Sequence, residues 1–288
     1  MTPLLTVWSA GAYELAEGAR WVGERLVFVD ILSGRLLEAP TAPGPARVLA
    51  ALDVPLGAAA PAGDGEWIVA AGTGIALLRR DGTLDWLDRP EEGARSPARM
   101  NDACCDPRGR FWAGSMAYDV TEGAGSLYRT DPDGTVTQVL DGLTIVNGPA
   151  FTADGATMYI ADSAARRIYR CGVDVASGEV ASQTLFAEVP PEFGGPDVMT
   201  VDDRGRVWTA LWDGAAVRCY EPDGSFTDLP VPAPRPTSVC LAEGRLFVTT
   251  ARYGLSDAGA ESGAVLSAAV EARAPSAAPF GGPAPVRR

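Results

Sequence analysis

The amino-acid sequence predicts an all-β protein, a six-bladed β-propeller with four-stranded antiparallel blades around a central channel. Three observations carry that reading. A polar turn followed by a short apolar strand recurs six times along the 288 residues. The copies leave about 40 to 50 residues per unit, the size of one propeller blade. No stretch sustains the apolar spacing of a helix.

The copies are Gly23-Glu-Arg-Leu-Val-Phe28, Asp64-Gly-Glu-Trp-Ile-Val69, Gly109-Arg-Phe-Trp-Ala113, Asp154-Gly-Ala-Thr-Met-Tyr-Ile160, Gly205-Arg-Val-Trp-Thr209 and Gly244-Arg-Leu-Phe-Val248. Gly and Asp supply the turn, while Val, Ile and aromatic residues supply the strand. Trp67, Trp112, Tyr159, Trp208 and Phe247 fall at matching places and are expected in the core. A second short strand follows, as in Ser126-Leu-Tyr-Arg129 or Val217-Arg-Cys-Tyr220, and a polar turn such as Glu221-Pro-Asp-Gly224 often comes next. Ring closure is expected where residues 4–8 pair with strands near residues 263–270. Residues 1–288 then form one domain, with a Pro- and Ala-rich end that is loose from about residue 283.

Composition narrows the chemistry. All 24 basic residues are Arg, and the chain has neither Lys nor His. That excludes His-activated nucleophiles, His-ligated zinc, Schiff-base lysines and phosphate-loop lysines. A formal charge of −13 argues against a nucleic-acid partner, whose phosphates it would repel. The five Cys lack metal-ligand spacing, which speaks against a disulfide framework and for a reducing cytoplasm. No apolar run is long enough for a membrane span, and no secretion signal is evident. The expected partner is a small molecule, and the expected state a monomer or weak homo-oligomer.

The turn glycines serve as a ruler. Eight residues before the turn glycine lie Gly57, Asn101, Asn147 and Asp197; six residues before it, in the two blades with a shorter turn, lie Glu17 and Ser238. A difference of two keeps the same strand face, so the six positions are equivalent and converge on the channel. Asn101 and Asn147 are the only Asn residues of the chain. Two carboxylates and two amides on one axis suit a divalent cation with oxygen ligands. The alternative is a set of strand-end caps bonded to backbone and channel water.

These residues resemble the gluconolactonase and regucalcin (senescence marker protein) family of six-bladed propeller lactonases. The most specific stretches are Ala16-Glu-Gly-Ala-Arg-Trp21, the run from Arg99-Met-Asn-Asp to Met116, Asn147-Gly148 and Pro196-Asp197. The resemblance implies a catalytic divalent ion held by Glu17, Asn147 and Asp197, with Asn101 beside it and Arg99 on the substrate. It also places an acidic sugar-binding position at or near Asp119. Ala103 and Val198 stand where the family usually carries Gly, and each adds bulk beside a site residue.

The expected activity is metal-dependent opening of a small, sugar-lactone-like ring to the hydroxy acid. Asp197 serves as ligand and general base, while Arg99, Asn101 and Asp119 bind substrate. The expected cofactor is one divalent ion, Ca²⁺ or Zn²⁺ first, with Mg²⁺ or Mn²⁺ as alternatives. Rival functions are another metal-dependent reaction in the same pocket, such as phosphoester hydrolysis or a biosynthetic step, and a binding propeller without catalysis.

Overall fold

The computed structural model describes residues 4–281, so the tail expected to be loose from about residue 283 lies outside the described residues. Six four-stranded antiparallel sheets follow one another along the chain. The first strands of the six blades are Ala16–Val22, Leu56–Pro61, Ala98–Cys105, Val146–Phe151, Gly195–Val201 and Pro236–Ala242. Each touches the next, and the sixth touches the first, so they form a closed circuit and the innermost strands of a ring. Among the described residues the only helical element is a single 3-10 turn, Pro191–Phe193.

All six recurring turn-plus-strand segments fall at the second strand of a blade, namely Arg25–Asp30, Trp67–Ala71, Phe111–Ala117, Thr157–Asp162, Val207–Trp212 and Arg245–Thr250. The regularity has a chemical basis in the turns. Asp106 accepts hydrogen bonds from the Arg108 and Arg110 backbone amides, from Arg110 Nε at 2.6 Å and from Trp112 Nε1 at 3.1 Å. Asp202 repeats this pattern two blades later with Arg204, Arg206 and Trp208. One buried carboxylate thereby satisfies a turn, an Arg and the core Trp of the next strand.

The blades pack face to face through their apolar residues. Trp112, Leu127, Val146, Met158 and Ile160 join the third blade to the fourth, and Trp112 is fully buried. Ring closure follows the sequence expectation, since Thr6–Ala10 pairs antiparallel with Ala264–Ala269 and completes the sixth blade. The chain beyond that strand forms no further strand among the described residues, yet it is anchored. Ala277, Phe280 and Gly281 donate their backbone amides to the carbonyls of Trp21, Pro61 and Gly109, a strap across three blades. All five Cys are free thiols, four of them buried.

An irregularity recurs where the channel residues lie. The pairing of every innermost strand with its neighbour shifts register at or next to the ring position. Such bulges re-aim side chains that strict alternation would send to opposite faces. Gly18 and Gly148, at φ +62° and +64°, supply the left-handed backbone directly after Glu17 and Asn147. Val198 does not occupy that conformation, so the side chain after Asp197 sits unstrained and fully buried.

Candidate active site

The ring of six equivalent positions divides into two groups. Glu17, Asn101, Asn147 and Asp197 line one cavity of about 530 Å³. The other two hold blades together. A Cβ at Gly57 would lie 2.3 Å from the Asn101 carbonyl oxygen, so a side chain there would force the second and third blades apart. Ser238 Oγ accepts from the Ala19 amide at 3.0 Å and bonds Thr249 Oγ1, tying the sixth blade to the first.

The four polar residues are buried, and their hydrogen bonds have a determined polarity. Arg99 Nη1 donates to Asn101 Oδ1 at 2.6 Å, Asn101 Nδ2 donates to Asn147 Oδ1 at 2.7 Å, and Asn147 Nδ2 donates to Ser163 Oγ at 2.9 Å. Ser163 Oγ then donates to the Pro196 carbonyl at 2.6 Å. A guanidinium only donates and a carbonyl only accepts, so both ends of the chain force the same direction. Asn147 therefore spends its amide nitrogen on Ser163 and keeps one lone pair of its amide oxygen unspent, in the cavity that Glu17 and Asp197 also line.

One oxygen of each carboxylate is left without a partner among the described residues. Glu17 Oε2 and Asp197 Oδ1 are buried and form no hydrogen bond among the described residues. Burial pushes the Glu17 carboxyl up to about 8, with the Arg99 charge pulling the other way. Burial also raises Asp197 well above the carboxylate range, and the Glu17 charge adds to it. Unpaired buried acids of this kind cost stability unless a cation meets them. Two carboxylate oxygens and an oriented amide oxygen form a hard donor set that fits a divalent ion. Among the described residues no three His, Cys, Asp or Glu side chains assemble into a metal cluster; here one of the three candidate donors is an amide.

Arg99 reaches the cavity as expected, held by its bonds to Asn101 and to the Met100 carbonyl. Asn101 lines the same cavity, with its amide engaged by Arg99, Asn147 and the Val146 carbonyl. Asp119, expected at a sugar-binding position, does not line this cavity. Its carboxylate is exposed and accepts bonds from the Thr121 amide and hydroxyl, capping its own loop, while Tyr118 and Val120 on either side line the cavity. These residues form a turn after the strand Phe111–Ala117, and the bonds to Thr121 hold the acid away from the cavity.

Other residues were not legible as site components. Ser163 and Tyr253 line the cavity from the ends of second strands, where nothing in their local sequence marks them. Trp212 does so too, from the end of the strand Val207–Trp212. Trp21 lines a separate cavity of about 360 Å³ under the strap, together with Arg20. Arg20 Nη2 reaches both oxygens of the fully buried Asp102 at 3.0 and 3.1 Å, so that acid is neutralised within the channel.

A family model for the SMP-30/gluconolactonase/LRE-like region matches residues 15–252. The chain belongs to this family. The SMP-30/gluconolactonase/LRE-like match spans all six ring positions, from Glu17 to Ser238. The chain is similar to the pentonolactonase XacC of Haloferax volcanii, 37% identical over 257 residues that cover 82% of this chain and 81% of the relative. It is also similar to a 6-deoxy-6-sulfogluconolactonase of Pseudomonas putida, 33% identical with 80% of each chain covered. Among solved structures, the calcium-binding protein regucalcin from Agrobacterium tumefaciens superimposes with a TM-score of 0.88 at 27% identity, covering 97% of both chains.

Proposed function

We propose that this protein is a divalent-metal-dependent lactonase that opens a small sugar lactone to its hydroxy acid. The observation that carries the reading is the pair of buried, unpartnered oxygens, Glu17 Oε2 and Asp197 Oδ1, at one cavity with the oriented amide of Asn147. The lactonase names of the relatives support the reaction, and the calcium-binding regucalcin structure supports the ion.

Glu17, Asn147 and Asp197 would hold the ion. When bound, it supplies Lewis acidity toward a carbonyl oxygen and the positive field that keeps both carboxylates ionised. Among the described residues Arg99 Nε and Nη2 have no hydrogen-bond partner, and these donors fork onto substrate oxygens. Asp197 accepts a proton from the attacking water as its oxygen bonds to the lactone carbonyl carbon. As the ring C–O bond breaks, Asp197 returns that proton to the leaving oxygen, giving the free hydroxy acid. Asn101 positions Arg99 and Asn147 through its amide.

The test is acid release from a panel of pentono- and hexonolactones by chelator-treated protein, alone and with Ca²⁺, Zn²⁺, Mg²⁺ or Mn²⁺. Opening of at least one lactone that depends on added ion is the expected result. Full activity after chelation overturns the metal requirement, and no opening with any ion overturns the lactonase reading.

A further inference from the structure

Arg235 stands outside the cavity wall yet holds three of the residues that form it. It lies just ahead of the innermost strand of the sixth blade, Pro236–Ala242. Its Nε donates to Asp213 Oδ1 at 2.6 Å, its Nη1 donates to the Tyr253 carbonyl, and its guanidinium carbon lies 4.8 Å from the centre of the Trp212 ring. Trp212, Asp213 and Tyr253 all line the cavity, and Arg235 does not. Trp212 and Asp213 come from the fifth blade and Tyr253 from the sixth, so one side chain joins two blades at the rim.

The local backbone shows why such a tie is needed. Asp213 and Ala215 adopt φ +59° and +47°, a left-handed conformation that costs free energy outside glycine and persists only where surroundings impose it. The Arg235 side chain is only 18% exposed. A planar guanidinium can stack on an indole and fork to two acceptors together, which an ammonium cannot.

We propose that Arg235 is a positioning residue that sets the Trp212–Tyr253 wall of the cavity and thereby the affinity for the lactone ring. This rests on the lactonase reading. The carbon-bound hydrogens of a lactone ring pack against Trp212, which lines the cavity and is held both by the Arg235 guanidinium and by the apolar cluster around Leu15, Leu56 and Ala251. Arg235 touches neither the ion-binding oxygens nor Arg99, so its contribution falls on binding rather than on the bond-breaking step.

The experiment uses full-length, metal-loaded protein as wild type, Arg235→Met and Arg235→Lys, with L-arabinono-γ-lactone as substrate. Arg235→Met raises KM about tenfold, the scale of a desolvated cation–π contact, and leaves kcat within about twofold. Arg235→Lys, which keeps a charge over Trp212 but loses the planar fork, recovers part of that KM. Independently of turnover, Arg235→Met shifts the tryptophan emission, and the shift disappears in a Trp212→Phe background. Unchanged KM and unchanged emission in Arg235→Met overturn the proposal. So does a fall in kcat equal to the rise in KM in both variants together with a lower Tm, which marks a general loss of fold. If the wild type opens no lactone, the lactonase reading fails, and the emission pair still decides whether Arg235 holds Trp212.

Discussion

Replacing Glu17 by Gln reverses its sign of effect with metal. Gln keeps the side-chain volume but cannot ionise, so it removes one of two buried carboxyls that each leave an oxygen without a hydrogen-bond partner among the described residues. Burial moves the Glu17 carboxyl from 4.5 to about 8. Near pH 7.5 a shift of this size corresponds to roughly 4 kcal/mol, and about half of that is expected because the Glu17 and Asp197 carboxyls act on one another and titrate as a pair. In chelator, Glu17→Gln should therefore unfold about 4 to 8 °C above wild type, at about 2 to 4 °C per kcal/mol. A carboxyl raised in the folded state leaves stability intact below its unfolded value and erodes it as pH rises. The gap between the two proteins should accordingly be small below pH 4.5, widen up to about pH 8 and then level off. With an ion at one hundred times its Kd, the wild type gains about 2.7 kcal/mol and the variant loses most of that gain, so the order inverts. Thermal unfolding with chelator and with each of Ca²⁺, Zn²⁺, Mg²⁺ and Mn²⁺ is the assay. A variant less stable than wild type in chelator, or a wild type that no ion stabilises, would refute the reasoning.

Three further outcomes are expected. Asn147→Ala should weaken ion binding and recover activity in part with excess metal, whereas Asp197→Asn should stay at least about 100-fold down in kcat at saturating metal; near wild-type kcat in the latter removes the base assignment. Ser163→Ala leaves Asn147 Nδ2 without its acceptor and should weaken ion affinity, read by calorimetric titration, with an unchanged titration locating the control of Asn147 elsewhere. Asp106→Ala strips the partner from buried Arg110 and from Trp112 Nε1, and should cost about 3 to 5 kcal/mol in denaturant unfolding; a loss under about 1 kcal/mol contradicts the network read from the turn.

The blades and the ring were legible in the pattern of residues. Turn glycines and aromatic strands repeat because each blade solves the same local problem, a tight turn feeding a pleated strand whose apolar face meets the next blade. Counting back from those turns brought Glu17, Asn101, Asn147 and Asp197 to one axis, since a propeller makes equivalent positions converge. Tertiary structure alone decided what each position does. Gly57 and Ser238 share the ring but serve blade contacts, because the neighbouring blade approaches too closely there for a ligand. Asp119 faces solvent while Tyr118 and Val120 face the cavity, a one-residue distinction set by the loop's own hydrogen bonds. Ser163, Trp212 and Tyr253 come to the cavity from blade rims distant in sequence. Local pattern reports which way a strand's side chains alternate, whereas the polarity of a hydrogen-bond chain such as Arg99–Asn101–Asn147–Ser163 depends on partners that only the closed ring supplies.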